Sequence, residues 1–252
     1  MRVGLVLSGG GARGIAHVGV MKALTEMGIQ FSVISGTSAG AVAGAYFAAG
    51  CSFHDMMERL HEMRILRKLR PAWGRSGLLR LDVIESFVKE GIPADNFESL
   101  KIPLFVAATN LHTGTVDYFS SGPLSKPVIA SCCVPALFAP VEINDQLYVD
   151  GGVLDNLPSG AIVGKCDFII GSHCNPVDHH FDATSLRKVA ERALLLTIGT
   201  NTRDSMAQCD VVIEPPGLST HSAMDFAKAE KLVEIGYRYV IENYSPESFK
   251  KH

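Results

Sequence analysis

The chain has 252 residues, of which 47% are hydrophobic and 19% are charged, a composition expected of a compact globular protein with a sizeable core. Its formal net charge of −3 lacks the basic excess that neutralising nucleic-acid phosphates requires, so we expect no nucleic-acid partner. The six cysteines form no CxxC pair and predict buried thiols in a reducing compartment, which argues against a disulfide framework or a zinc site.

The N-terminus does not have the pattern of a secretion signal. The apolar run Val3–Leu7 is shorter than the about 7–15 residues of a secretory apolar region. No window reaches the roughly 18 apolar residues of a membrane-spanning helix. We therefore expect a cytoplasmic protein, for which any contact with lipid would be peripheral, at the inner face of the membrane.

The first fifty residues alternate between short apolar strands and helices. Strands are predicted at Val3–Leu7 and Phe31–Ser35, and helices at Ile15–Met27 and Ala39–Ala49. Gly28 stands in the usual position just after a helix C-terminus. Strand, turn and helix in this order predict an α/β fold with a central, mostly parallel sheet.

The remaining elements continue this pattern without an internal repeat or a linker. Asn144-Asp145 is predicted as the turn of a β-hairpin, and Asp82 as the N-cap of a helix. Helices are predicted at 53–70, 82–90, 184–206 and 225–243, and strands at 104–108, 115–119, 141–143, 146–149, 168–172 and 211–213. A single domain over residues 1–252 follows.

The segment Gly36-Thr37-Ser38-Ala39-Gly40 is a G-x-S-x-G motif between a predicted strand and a small-residue helix. A sharp strand-to-helix turn projects the serine hydroxyl above the sheet, and flanking glycines avoid side-chain clashes there. Free N–H groups at the start of the helix favour developing negative charge. A chance match is the alternative, but the strand before and the helix after favour a nucleophile elbow at Ser38.

The segment from Ser8 to Gly14 carries three consecutive glycines and satisfies G-x-G-x-x-G after the first strand. A dinucleotide site would need a carboxylate at the end of the second strand, where this chain has Ser35 and Gly36. The alternative is an oxyanion hole, in which glycine N–H groups closely approach a substrate carbonyl. Arg13 either braces this loop or contacts a lipid head group, and we favour bracing.

None of the nine histidines has the context of a catalytic base. His221 is best placed by chain order but lies in a polar loop, and His17 follows the glycine loop, where a structural role is expected. The remaining candidates lie in a turn or in a polar loop without metal-ligand spacing: His112, His179 and His180.

Asp150 is a stronger candidate for the partner of Ser38. It follows the strand 146–149 and precedes Gly151-Gly152, which predicts a sharp turn at the end of a sheet strand, where α/β sites gather. An ordinary Asx turn after a hairpin strand is the alternative.

Together, the blocks Gly9–Gly14, Gly36–Gly40 and Asp150–Gly152 resemble the patatin-like phospholipase family, most closely its bacterial members and the neuropathy target esterase branch. The resemblance implies a three-layer α/β/α fold with a strand-turn-helix nucleophile elbow. It also implies a catalytic dyad of Ser38 and Asp150 without histidine, and no metal or other cofactor. The implied oxyanion donors are Gly9, Gly10 and Gly11, and the supporting motif residues are Arg13, Gly14, Gly36, Gly40, Gly151 and Gly152.

The resemblance implies a serine lipid acyl hydrolase that cleaves carboxylic esters of phospholipids, lysophospholipids or other acyl esters through an acyl-enzyme. An acyltransferase of similar architecture and a catalytically silent lipid-binding or regulatory module are the alternatives. The oligomeric state is not predicted.

Two further segments leave alternatives open. The methionine and leucine stripe from Met56 to Leu69 either borders an acyl groove or packs in the core. The basic residues around Trp73 suit an anionic lipid surface or a solvated helix end whose dipole favours cations, and we favour the solvated end.

Overall fold

A computed structural model of the chain describes residues 1–69, 82–135, 137–177 and 184–250. In these ranges eight strands form one sheet, whose hydrogen-bonded path runs β5-β6-β3-β2-β1-β7-β8 with β4 paired to β3. The strands are β1 (Val3–Leu7), β2 (Phe31–Thr37), β3 (Leu104–Asn110), β4 (Thr115–Phe119), β5 (Val141–Ile143), β6 (Gln146–Asp150), β7 (Phe168–Ser172) and β8 (Val211–Ile213).

The predicted, mostly parallel sheet is confirmed. Strands β3, β2, β1, β7 and β8 run parallel to one another. The antiparallel strands β4, β5 and β6 are gathered beside β3. Because the hairpin turn Asn144-Asp145 has positive φ at both residues, it matches the predicted tight connection between β5 and β6.

Helices cover both faces of the sheet, so the three-layer α/β/α prediction is also confirmed. On β1, Leu5 and Leu7 pack in one cluster with Leu24 and Val240, whereas Val6 packs on the other face in a cluster with Ile162. None of the described helices is long and apolar enough to cross a bilayer. The helices are α1 (Ala16–Glu26), α2 (Ala39–Ala49), α3 (Phe53–Leu69), α4 (Asp82–Gly91), α5 (Ser125–Ser131), α6 (Leu186–Ala207) and α7 (Ala229–Asn243).

Three of the differences from the sequence prediction have a clear local cause. Strand β2 continues to Thr37, because Gly36 and Thr37 still pair with β3. The last helix begins at Ala229, since Phe226–Lys228 forms a tighter 3-10 turn that the Asp225 side chain caps. The short helix α5 was not predicted, and Pro127 in its first turn is a residue that a helix tolerates only there.

The arrangement of strands around β3 positions the site. Strand β2 pairs in parallel with β3 up to Thr37 and Ala107, and β6 pairs antiparallel with β3, ending at Asp150 and Ala108. Strand β4 pairs with the whole segment from Val106 to Asn110 and therefore occupies the opposite edge. The C-terminal ends of β2 and β6 consequently meet on the same edge of β3, one residue apart.

Helices α1 and α7 pack so closely that the addition of a single methyl group between them tests the fold. A Cβ on Gly19 would overlap the carbonyl oxygen of Val233, so we expect Gly19→Ala to lower the free energy of unfolding by about 1–3 kcal/mol through overpacking. As a matched control, Gly199 on α6 has open space around its Cβ position, and Gly199→Ala should stabilise the helix by up to about 1 kcal/mol. Urea denaturation of both variants measures the two effects, and equal effects would contradict this packing.

Candidate active site

Ser38 lies on the sharp turn between β2 and α2, as predicted for a nucleophile elbow. Its φ of 53° is an unfavourable backbone conformation for a residue with a Cβ. The buried N–H of Ser38 donates to Ser131 Oγ at 2.7 Å, and that hydroxyl in turn donates to the Ala107 carbonyl oxygen at 2.6 Å. Ser131 therefore ties the strained turn to β3.

Glycines surround the elbow because neighbouring backbone lies against them. A Cβ on Gly40 would overlap the Leu7 carbonyl oxygen, and one on Gly36 would lie 2.6 Å from the Gly40 carbonyl oxygen. Gly14 lies equally close to α2, since a Cβ added to Gly14 would lie 2.5 Å from the Cβ of Ala39. These supporting glycines therefore lie where the sequence motifs predict them.

Asp150 ends β6 on the turn that precedes Gly151 and Gly152. Its Oδ1 accepts the Gly152 N–H at 2.8 Å, and its own N–H donates to the Cys133 carbonyl oxygen at 2.9 Å. A Cβ on Gly151 would overlap the Ala107 carbonyl oxygen, so only glycine lets the turn lie this close to β3. The Asx-turn alternative is thus correct as local geometry, and the carboxylate nevertheless faces the elbow.

The electrostatics of Asp150 are dominated by its burial. Loss of hydration raises the pKa of this carboxyl from about 3.8 to about 6, while hydrogen bonds from the Ser38 hydroxyl and the Gly152 N–H act in the opposite direction. A buried carboxylate with increased proton affinity is the property that a general base for a serine hydroxyl needs.

The glycine loop differs from the prediction at one residue. The Gly9 N–H donates to the Asn156 carbonyl oxygen at 3.0 Å, so in this conformation it is already paired within the protein. No acceptor within the described ranges pairs with the N–H of Gly10 or Gly11. Gly11 has φ of +56°, and a Cβ there would overlap the Ala223 carbonyl oxygen, which explains the glycine at this position.

Arg13 braces the loop, as favoured from the sequence. The side chain is buried and donates from Nε to the His221 carbonyl oxygen and from an Nη to the Ser219 carbonyl oxygen. These bonds connect the glycine loop to the segment that follows β8. In this position the guanidinium supports backbone carbonyls of the protein itself.

His17 has the structural role expected of it. His17 is fully buried, with Nδ1 2.8 Å from Ser172 Oγ and Nε2 2.9 Å from the Ser8 carbonyl oxygen, so Nε2 carries the proton. Burial lowers the pKa of His17 to about 4, which keeps the ring neutral. Burial likewise lowers the pKa of His221, whose Nδ1 has no hydrogen-bond partner among the described residues.

Other sequence candidates lie apart from these residues or outside the described ranges. His112 lies in the exposed turn after β3, 3.1 Å from Gln146, and Met56 packs in the core, which favours core packing for the described part of its stripe. All six cysteines are free, three of them buried and three half-buried. The basic cluster around Trp73, with His179 and His180, lies outside the residues or side chains described.

Three residues that contact the site were missed by the sequence analysis: Ser131, Asn156 and Asn175. The Ser131 hydroxyl accepts the Ser38 N–H, and Asn156 and Asn175 donate through Nδ2 to the Gly9 carbonyl oxygen.

In the described part of the chain, no group of three or more His, Cys, Asp or Glu side chains could hold a metal ion. The arrangement can therefore supply a hydroxyl nucleophile, a buried carboxylate base and unpaired backbone N–H donors.

The motifs and their geometry agree with comparisons to known proteins. The patatin-like phospholipase family profile matches residues 5–162, a range that contains all three motif blocks. An uncharacterised NTE family protein of Mycobacterium tuberculosis (strain H37Rv) is 41% identical over 165 residues, covering 65% of this chain and 46% of the relative. Lysophospholipase NTE1 of Kluyveromyces lactis is 26% identical over 272 residues, covering 94% of this chain and 19% of the relative.

A solved structure shares the fold. VipD from Legionella pneumophila superposes with a TM-score of 0.64 at 16% identity, covering 98% of this chain and 67% of VipD. The chain spans about half the length of the mycobacterial relative and about a fifth of the yeast one.

The buried carboxyl of Asp150 should make the protein less stable as the pH rises. Between about pH 4 and pH 6 the unfolded chain releases this proton before the folded protein does, so folding loses about 1.4 kcal/mol for each pKa unit of difference. We expect Asp150→Asn to increase the free energy of unfolding at pH 8 by up to about 3 kcal/mol and to have little effect below pH 4.

Urea denaturation at several pH values measures this difference. Asp145→Asn removes a carboxylate from the exposed β5-β6 turn and serves as the control for the change in charge alone. If Asp150→Asn were destabilising at pH 8, or if its effect did not depend on pH, the carboxyl would not be held in a desolvated environment.

Proposed function

The chain belongs to the patatin-like phospholipase family, and on this basis we propose that it is a serine lipid acyl hydrolase. Its substrates would be carboxylic esters of phospholipids, lysophospholipids or other acyl esters. The observation that supports this most strongly is the placement of Ser38, on a strained backbone turn, beside the buried Asp150, because β2 and β6 end on adjacent residues of β3 and the pKa of Asp150 is raised to about 6.

In the proposed first half-reaction, Ser38 Oγ attacks the ester carbonyl carbon and Asp150 accepts the hydroxyl proton. The tetrahedral intermediate then collapses, the bond to the alcohol oxygen breaks, and Asp150 returns the proton to that oxygen. An acyl group remains on Ser38. A carboxylate performs this role best when its pKa approaches the working pH, and burial of Asp150 moves its pKa in that direction.

The negative charge on the carbonyl oxygen needs donors that are already in place. The N–H groups of Gly10 and Gly11 are unpaired among the described residues, and the N-terminus of α2 begins directly after Ser38. Fixed backbone donors and a helix N-terminus stabilise an oxyanion without reorganisation. We propose Gly10 and Gly11 as the donors, without Gly9.

In the second half-reaction, water attacks the acyl-enzyme carbonyl and Asp150 accepts a proton from that water. Ser38 Oγ leaves and recovers a proton from Asp150, so the products are a carboxylic acid and the free enzyme. The yeast relative is named a lysophospholipase, which supports lysophospholipids as the first substrates to examine.

Fluorophosphonate labelling tests the nucleophile and its base together. A single adduct should form on Ser38, with loss of fluoride, and its rate should rise with pH through about 6 and then level off, because the deprotonated carboxylate is the active form. At pH 5 the rate should be about one tenth of the plateau. Intact mass measured over time gives the rate, and peptide mapping gives the position.

Ser38→Ala should abolish the adduct, whereas Ser120→Ala, at an exposed serine, should leave the rate unchanged. An adduct at another residue would contradict the proposal. So would the absence of any adduct on folded wild-type protein between pH 5 and 9 with phosphatidylcholine vesicles present, a result that would favour a lipid-binding module.

A further inference from the structure

The carbonyl oxygen of Gly9 is held by an unusual number of donors. Asn175 Nδ2 donates to it at 2.6 Å, Cys174 Sγ lies at 3.3 Å and Asn156 Nδ2 at 3.4 Å. Asn175 makes the shortest of these contacts, and only 6% of this residue is exposed. It follows β7, the parallel neighbour of β1, so its side chain reaches the loop that follows β1.

Packing alone does not explain an asparagine at this position. The Oδ1 atom of Asn175 is buried and has no hydrogen-bond partner among the described residues. A leucine of similar size would avoid burying an unpaired oxygen, which is unfavourable for stability. The amide therefore stabilises the fold less than an apolar side chain could, and its identifiable interaction is the bond to Gly9.

The donors on the Gly9 carbonyl, of which Asn175 makes the shortest contact, fix the direction of the next N–H group. The Gly9 carbonyl and the Gly10 N–H belong to one planar trans peptide, so they point in opposite directions. With the carbonyl held on Asn175, the Gly10 N–H points away from Asn175. The same peptide adjoins the nucleophile, because a Cβ on Gly9 would lie 3.2 Å from the Cβ of Ser38.

We infer that Asn175 is a positioning residue of the oxyanion hole, which holds the Gly9–Gly10 peptide so that the Gly10 N–H faces the substrate's carbonyl oxygen. A donor on the carbonyl also polarises the peptide and strengthens its N–H as a donor. The inference rests on the proposed hydrolase function. Asn175 would stabilise the negative oxygen of the transition state and would contribute little to binding of the uncharged ester.

Asn175→Leu tests this assignment with p-nitrophenyl butyrate and the matching ketone 1,1,1-trifluoropentan-2-one. Ser38 Oγ adds to the ketone carbon and its proton passes to Asp150, which leaves a negative oxygen in the oxyanion hole. We expect kcat to fall and the inhibition constant of the ketone to rise, each by about 10- to 100-fold, since loss of a whole donor costs about 100- to 1,000-fold. KM for the ester should change by less than about threefold.

Asn243→Leu is the matched control, because Asn243 on α7 also donates from Nδ2 to a backbone carbonyl, that of Tyr239, but is exposed. It should leave both constants unchanged. Pentan-2-one, which forms no stable adduct, should inhibit wild type and Asn175→Leu equally. Wild-type kcat and ketone affinity in a folded Asn175→Leu protein would overturn the inference.

Asn175→Asp keeps the shape of the side chain but replaces the donor with an acceptor, so it provides a second test if Asn175→Leu does not fold. It should show the same losses in kcat and ketone affinity. Failure of both variants to fold would make Asn175 a structural residue and overturn the inference. Wild-type protein that neither cleaves the ester nor binds the ketone through Ser38 would instead overturn the proposed function, and the inference with it.

Discussion

The site depends on two strands that end against each other on one edge of β3. Strand β2 arrives in parallel and β6 antiparallel, so their C-terminal ends meet over the adjacent residues Ala107 and Ala108. The chain must leave the sheet immediately after both ends, and the residues at these two exits are Ser38 and Asp150. A serine and a carboxylate more than a hundred residues apart in sequence are therefore brought together by backbone pairing, before any side-chain interaction is considered. The bond from the Ser38 N–H to Ser131 then fixes the direction in which the elbow leaves.

This arrangement is stabilised by the surrounding structure at a local cost. Ser38 has an unfavourable φ. Asp150 is buried, and no cationic side chain contributes to the shift of its pKa. Such strain persists only where neighbouring structure holds it, and here the neighbours are close backbone contacts that exclude a Cβ at Gly36, Gly40 and Gly151. The same burial that destabilises the carboxylate raises its affinity for a proton, which is the property that the proposed chemistry uses. Stability and activity are therefore expected to change in opposite directions at this carboxylate.

The sequence predicts the fold class, most element boundaries and the positions of the three motif blocks, because each block is a contiguous segment whose residue types are determined locally. Glycines are needed where backbone approaches backbone, and a strand before and a helix after Ser38 suffice to indicate an elbow. Ser131 and Asn156 were missed because their contacts are tertiary and their own segments carry no pattern. Asn175 could have been found, since residues just after parallel strands gather at one edge of the sheet. The Gly9 N–H is paired with the Asn156 carbonyl oxygen, a tertiary contact that no local pattern contains, and this explains why the sequence includes Gly9 among the expected donors.

We propose that Asp150, with no histidine, is the base that activates Ser38. It is tested most directly by the rate of acylation, followed as the burst of p-nitrophenol in stopped-flow experiments on Asp150→Asn and His221→Gln. We predict that Asp150→Asn lowers the acylation rate by about 100- to 10,000-fold, the range expected on loss of a general base, whereas His221→Gln stays close to wild type. A folded Asp150→Asn protein that acylates at the wild-type rate, or a His221→Gln protein that loses acylation, would contradict this proposal.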